Sequence, residues 1–266
     1  MLLTERFVLL NYPRTGSTFA RSALRALYRR REGPWGHALV RLGLAQASCR
    51  ELLLPIERTA TARREGRRSQ HGALSQIPPS ERGKLVVSIA RHPLDQVVSA
   101  YEHGFWRAHP PGDEQVIRRR FPRFPELSFS QYLDLTSEFD RTNVLQGVPL
   151  QADVGPCTLH FVRFFAVDPD AALARLSAES ISSGEFLARL PPVRFLHTEH
   201  LAEELAAFLG ELGFEAAETA FLRSLPRVNV AARRRGRPWS EYFTPEQERD
   251  FRWRERLLFQ RFPEYA

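Results

Sequence analysis

Cysteine and lysine are almost absent from this chain of 266 residues, in which Lys84 is the one lysine among 38 basic residues. The two cysteines, Cys49 and Cys157, are too few for a disulfide framework or for a zinc site with four cysteine ligands. Because the other basic residues are arginines, any cationic role falls to arginine. That side chain stays charged and binds phosphate or sulfate through paired hydrogen bonds.

Long hydrophobic runs are also missing. No run approaches the roughly 20 apolar residues that span a bilayer. The first apolar run ends at Tyr12-Pro13 and lacks the pattern of a secretory signal peptide. We therefore expect a cytoplasmic protein with no membrane span. The length of 266 residues and the apolar fraction of 43% predict one globular domain over residues 1–266.

Basic residues exceed acidic ones, and the formal net charge is +7 at pH 7. A surface of this sign suits nucleic acid, anionic lipid or an anionic small molecule. The charge therefore predicts an anionic partner without choosing among these classes.

Short apolar segments alternate with amphipathic ones along the chain. Strands alternating with helices predict a three-layer α/β fold in which a central parallel sheet is flanked by helices. Ligands of such sheets bind at the carboxyl ends of the strands. Residues 107–125, rich in proline and arginine, predict a loop, and whether it forms a lid over a site stays open. The predicted strands are residues 6–11, 84–90 and 193–196, and the helices that follow them are residues 17–31, 94–108 and 200–212.

The segment Y-P-R-T-G-S-T-F, Tyr12 to Phe19, connects the first predicted strand to its helix. Gly16 permits a sharp turn, and the hydroxyls of Ser17 and Thr18 can cap the helix or bind an oxyanion. Arg14 adds a fixed positive charge beside a helix N-terminus, which is itself a site for anions. The segment predicts a P-loop-like anion site. It is not a Walker A loop, because it has one glycine and no lysine.

A second candidate segment, R-H-P-L-D-Q-V-V-S-A-Y-E-H, begins at Arg91, directly after the second predicted strand. Ser99 follows two turns into the next helix, on a face that can point back toward the same ligand. Because both segments follow strands of one sheet, we expect their polar groups to lie at the same edge.

The two segments together resemble the donor-binding motifs of sulfotransferases, enzymes that use 3′-phosphoadenosine 5′-phosphosulfate (PAPS). The first is similar to the 5′-phosphosulfate loop and the second to the 3′-phosphate motif. A third segment, beginning at Arg234, resembles the C-terminal 3′-phosphate triplet of the family. The resemblance implies a PAPS site built from Arg14, Thr15, Gly16, Ser17, Thr18, Phe19, Arg91, Ser99, Arg234, Arg235 and Gly236.

The resemblance also implies the reaction, which is transfer of a sulfuryl group to an acceptor hydroxyl or amine without a metal ion. Arg14 would stabilise the charge that develops on the leaving group. His71 matches the position of the family's catalytic base, with Glu102 and His103 as alternatives. A carbohydrate acceptor is favoured, because carbohydrate-type members also carry arginine at the position of Arg14.

Two other function classes stay open. A nucleotide-dependent, P-loop kinase-like enzyme would also bind phosphate at a loop of this kind, although the missing lysine argues against it. A basic nucleic-acid-binding protein would account for the charge of +7, although no nucleic-acid-binding motif is present.

Overall fold

The computed structural model of the protein describes residues 1–225 and 237–266. The predicted site residues Arg234, Arg235 and Gly236 lie outside the described residues. The strands are β1 (Leu2–Thr4), β2 (Phe7–Leu9), β3 (Cys49–Glu51), β4 (Leu54–Pro55), β5 (Arg68–Ser69), β6 (Leu85–Ala90) and β7 (Arg194–His197). The helices are α1 (Ser17–Arg41), α2 (Ala60–Arg64), α3 (Pro93–His103), α4 (Phe105–Ala108), α5 (Glu114–Arg120), α6 (Phe129–Leu135), α7 (Arg141–Leu145), α8 (Pro156–Phe165), α9 (Pro169–Ala174), α10 (Ala178–Ser182), α11 (Glu185–Ala188), α12 (Leu201–Glu211), α13 (Ala216–Thr219), α14 (Pro245–Arg254) and α15 (Arg256–Arg261).

A central sheet of five strands has the order β3-β1-β2-β6-β7. Strands β2, β6 and β7 are parallel, as predicted, but β1 runs antiparallel to both β2 and β3. The sheet is therefore mixed. The reason is local, because only Glu5 and Arg6 separate β1 from β2, and a parallel crossover needs a dozen residues or more. The hydroxyl of Thr4 closes this turn by accepting from the Phe7 backbone N–H at 3.0 Å.

Helices cover both faces of the sheet, as predicted for a three-layer fold. Side chains alternate between faces along a strand, so Phe7 and Leu9 of β2 pack in one cluster with residues of α1 and α12. Val8 and Leu10 point the other way and pack in a second cluster with residues of α8 and α15. The aromatic residues of α8 fill the second cluster, where Phe165 lies 5.1 Å from Phe195 of β7 between ring centroids.

Two helical segments are interrupted at glycine, the first beyond the helix predicted at residues 17–31 and the second within the helix predicted at residues 94–108. Helix α1 is broken at Gly33, where φ is 64° and ψ is 179°, directly before Pro34. The helix predicted at residues 94–108 is divided into α3 and α4 by Gly104, whose φ of 69° ends the first of them. None of the helices among the described residues combines the length and hydrophobicity that crossing a bilayer requires.

The segment 107–125, predicted to be a loop, contains helix α5, so that prediction was wrong. The side chain of Asp113 caps this helix by accepting from the backbone N–H groups of Gln115 and Val116. Ile117 is fully buried in a cluster with Val98 of α3. One cap and one buried anchor residue thus stabilise a helix in a stretch whose prolines and arginines indicated none.

Candidate active site

The loop between β2 and α1 is held in shape by its own hydroxyl groups. Thr15 and Ser17 both donate to the Tyr12 carbonyl oxygen, at 2.8 and 3.1 Å. Gly16, directly before the first helical residue, has a φ of 85°. The predicted cap at Ser17 is not formed, because its hydroxyl is used within the loop. The Phe19 N–H donates to the Gly16 carbonyl oxygen at 2.9 Å. The N–H groups of the helical residues before it have no intrahelical acceptors and remain a source of positive potential.

Neighbouring strand ends fix this loop from outside. Thr198 Oγ1, directly after β7, lies 2.6 Å from the Thr15 carbonyl oxygen and 2.8 Å from the Ala90 carbonyl oxygen, so its one proton is shared between the two acceptors. Arg91, directly after β6, donates through Nη1 to the Arg14 carbonyl oxygen at 2.9 Å. The segments predicted to share one edge of the sheet are thus brought together. Ser99 is 6% exposed on α3, the helix that begins two residues after Arg91.

Arg14 is the most distinctive cation of the loop. Its φ is 65°, which is uncommon for a residue with a side chain. Its Nε atom is buried and finds no hydrogen-bond partner among residues 1–225 and 237–266. Burial lowers the pKa of Arg14, and the nearby charge of Arg91 lowers it further. A guanidinium that lacks an acceptor beside a helix N-terminus is suited to bind an oxyanion.

A cavity of about 330 Å³ opens beside Arg14. Its walls come from the loop after β2, α3, the chain around α6 and the π-helical turn Thr136–Asp140, the start of α8, and α14. Tyrosine, proline and aliphatic side chains form much of the lining, and charged groups are placed among them. A partly open, mostly apolar cavity with a few converging polar groups is the usual form of a small-molecule site.

His160 and Asp140 form a pair in the cavity wall that sequence reasoning missed. His160 Nε2 lies 2.8 Å from Asp140 Oδ2. Because the carboxylate accepts at this distance, the neutral ring carries its proton on Nε2 and leaves Nδ1 with a free lone pair. The two residues come from α8 and from the π-helical turn, 20 positions apart, and no local sequence signal links them.

Arg58, which lies just before α2, is a cation in the cavity wall that the sequence did not predict. Its Nε atom is buried and without a hydrogen-bond partner in the part of the chain that the structure describes. Its guanidinium carbon lies 5.3 Å from the centre of the Phe164 ring. Burial lowers the pKa of Arg58 to about 10, against the opposing effects of Tyr12 and Asp140.

The three predicted base candidates lie near the loop but are not part of the cavity lining. His71 Nδ1 is 2.5 Å from the Asn11 carbonyl oxygen, so this nitrogen donates and Nε2 is left as the acceptor. Burial lowers the pKa of His71 to about 4. The pKa of His103 is also lowered, by burial and by the charge of Arg14. Glu102 accepts a hydrogen bond from the Tyr242 hydroxyl at 2.8 Å.

The start of α8, at the wall of the same cavity, is occupied by a carboxylate of the chain itself. Glu255 is 1% exposed and accepts from the backbone N–H groups of Cys157 at 3.0 Å and Thr158 at 2.6 Å. Burial raises the pKa of Glu255. A Cβ atom at Gly155 would lie 2.1 Å from its Oε1, so the close approach requires glycine. This helix end therefore does not offer a second free anion site.

Among residues 1–225 and 237–266, no group of three or more histidine, cysteine, aspartate or glutamate side chains could hold a metal ion. No protein-family model matches the chain, and no curated protein is significantly similar to it. The function is therefore argued from the geometry of the site.

We expect Gly16→Ala to destabilise the protein by about 1–3 kcal/mol, because alanine is strained at positive φ and is crowded here. An added Cβ atom would lie 3.2 Å from Leu201 Cδ2. Gly43→Ala is the matched control, since Gly43 has a φ of 71° with no atom within 4 Å of its added Cβ. Urea unfolding measures the loss of stability in both variants. Equal losses in the two variants would contradict the close packing of this loop against α12.

We expect the stability of the protein to fall between pH 6.5 and pH 4 through His71. The pKa of His71 is about 4 in the folded chain and about 6.5 when unfolded, so the unfolded state takes up the proton first. Stability due to the neutral ring is complete above pH 6.5 and is lost as the pH falls toward 4. His71→Asn should remove roughly 2 kcal/mol of the stability difference between pH 7 and pH 4.5.

Urea unfolding at the two pH values, with His109→Asn at an exposed position as control, measures the effect on stability. An unchanged difference between pH 7 and pH 4.5 in His71→Asn would show that this ring is not buried in its neutral form.

Proposed function

We propose that this protein is a sulfotransferase that moves a sulfuryl group from PAPS to an acceptor hydroxyl or amine. The observation that carries the proposal is the unpartnered Nε of Arg14 beside the N-terminus of α1, in a loop tied to Arg91. These are the residues of the two segments that resemble the donor motifs of the family. The contacts between the loops support their use as one site.

The residues fit the donor in charge and position. Arg14 and the N–H groups of residues 16–18 would bind the 5′-phosphosulfate. Arg91 and Ser99 would bind the 3′-phosphate, for which Arg91 has to share or exchange its present bond to Asp95 Oδ2 at 2.6 Å. Gly16 lets the backbone approach the donor closely.

In the transfer, an acceptor oxygen forms a bond to sulfur while the bond from sulfur to the bridging oxygen of the 5′-phosphate breaks. The electron pair of that bond leaves with adenosine 3′,5′-bisphosphate, where Arg14 stabilises the developing charge. The proton of the acceptor passes to a base. Positioning of the two reactants accounts for much of the rate.

The cavity beside Arg14 is suited to hold the acceptor, because the same arginine lines it. Its wall contains His160, whose Nδ1 can accept a proton while Asp140 holds Nε2–H. His71 is the candidate favoured by the resemblance, but it does not line the cavity. The geometry thus favours His160 over His71 as the base.

We expect adenosine 3′,5′-bisphosphate to raise the melting temperature, because a ligand that binds only the folded state stabilises it. Arg14→Gln should weaken this binding at least tenfold, since it removes a charged donor from the loop. Arg25→Gln, an exposed change on α1, the helix that follows the loop, should bind normally. Thermal shift and titration calorimetry measure the binding of the bisphosphate by both variants. ATP with Mg²⁺ and a DNA duplex serve as competing ligands, and a response to either without one to the bisphosphate would overturn the proposal.

We expect His160→Asn to lower kcat by about 10²–10⁴-fold, as loss of a general base does, with donor affinity unchanged. His71→Asn should change kcat only a few-fold. Turnover assays with labelled PAPS and an accepted hydroxyl compound measure kcat in both variants. Collapse of kcat in His71→Asn with normal turnover in His160→Asn would return the base to His71.

A further inference from the structure

Arg58 is a cation in the cavity wall whose side chain makes no hydrogen bond or ion pair with the described residues. Among the described residues, the Nε atom of Arg58 is left without an acceptor. Asp140 favours its charge electrostatically, but Asp140 Oδ2 is already bonded to His160 Nε2. The face of Phe164 supplies only a cation–π contact, at 5.3 Å.

A second buried arginine provides a standard of comparison within the same chain. Arg163 is 3% exposed, and it donates to the carbonyl oxygens of Val144 at 2.6 Å and Leu145 at 2.8 Å. It also donates to Asp170 Oδ1 at 2.5 Å. This is the pattern of an arginine that serves the fold, because each part of the guanidinium has an acceptor.

The contrast between the two arginines indicates a ligand. Burying a guanidinium donor without an acceptor costs free energy, so a side chain kept in that state calls for another explanation than packing. The guanidinium offers a planar fork of N–H groups that matches a carboxylate, a phosphate or a sulfate ester. Arg58 lines the cavity, so an entering molecule can meet its side chain there. The Nε atom itself is covered by the chain, so an anion would bind the guanidinium through its Nη groups or after a shift of the side chain.

We propose that the cavity binds an acceptor that carries an oxyanion of its own, and that Arg58 binds this oxyanion. That the bound molecule is an acceptor rests on the proposed sulfotransferase function, whereas the binding of a small organic anion by Arg58 does not. The hydroxyl to be modified then lies toward Arg14 and His160, and the apolar lining contacts the body of the molecule between its two polar ends. Arg58 thus selects acceptors by their charge, in addition to the selection by shape that the cavity provides.

The test uses two pairs of probes that differ in charge but little in shape. These are 4-hydroxybenzoate against 4-hydroxybenzamide, and glucuronate against glucose. Calorimetry on the full chain should give at least tenfold tighter binding of the anion than of its neutral counterpart in one pair. The pair that responds distinguishes a phenolic from a carbohydrate acceptor. Equal affinity within both pairs overturns the proposal.

Variants of Arg58 separate a ligand role from a structural one. Arg58→Met should abolish the preference for the anionic probe while leaving the melting temperature equal or higher, because it removes an unsatisfied buried donor. Arg58→Lys should retain part of the preference, since it keeps the charge and loses the fork. Arg64→Met, at an exposed position of α2, is the matched control. A lower melting temperature of Arg58→Met with an unchanged preference for the anion would show a structural arginine and overturn the proposal.

Adenosine 3′,5′-bisphosphate is titrated into the same proteins to keep the two proposals apart. Binding of the bisphosphate without any preference for anionic probes overturns the role of Arg58 and leaves the sulfotransferase proposal intact. A preference for the anion that depends on Arg58, without binding of the bisphosphate, supports the anion site and overturns the sulfotransferase function.

Discussion

The hydroxyl of Thr198 is the contact on which the arrangement of the site depends, because it joins the ends of three parallel strands. It reaches the Thr15 carbonyl after β2 and the Ala90 carbonyl at the end of β6, while its own residue follows β7. Backbone carbonyl oxygens at strand ends need hydrogen-bond donors, and the single hydroxyl proton of Thr198 is shared between these two. The loop that carries Arg14 and the turn that carries Arg91 are thereby held in a fixed relation.

Because the two segments are held in a fixed relation, the cations Arg14 and Arg91 can lie close together. Arg91 donates to the backbone of Arg14, and the charge of Arg91 lowers the pKa of Arg14. Two arginines that repel each other are stable at such a distance only because the backbone positions them and because Asp95 offsets one charge. The same repulsion favours any anion that enters between them, which is a physical reason to expect binding at this edge.

The sequence predicted the parts of the site that lie next to each other in the chain, and it missed those that only folding brings together. The loop before α1 and the turn at Arg91 were recognisable because strand, turn residues and helix follow one another within a few positions. The helices on both faces were predicted for the same reason. Strand β1 was missed because three residues are too short for a periodic signal, and its antiparallel hairpin made the sheet mixed.

The cavity contains residues that are distant in the chain and meet only in the folded molecule. His160 and Asp140 meet through a π-helical turn that no propensity indicates. Arg58 becomes distinctive only because its Nε atom is buried without a hydrogen-bond partner among the described residues. His71 was chosen by resemblance, and the fold places it against Asn11 beside the loop. Burial and pairing are properties of the packed molecule, so they could not be read from residue types alone.

The carboxylate of Glu255 at the first turn of α8 makes the cavity electrostatically asymmetric. It neutralises one helix end, whereas the end of α1 beside Arg14 stays positive. The two helix termini therefore differ in electrostatic potential, since one is neutralised and the other is positive. An anionic group is attracted toward Arg14 and the free end of α1 and not toward Glu255. The cavity thus favours one orientation of a molecule that is charged at one end over the reverse orientation.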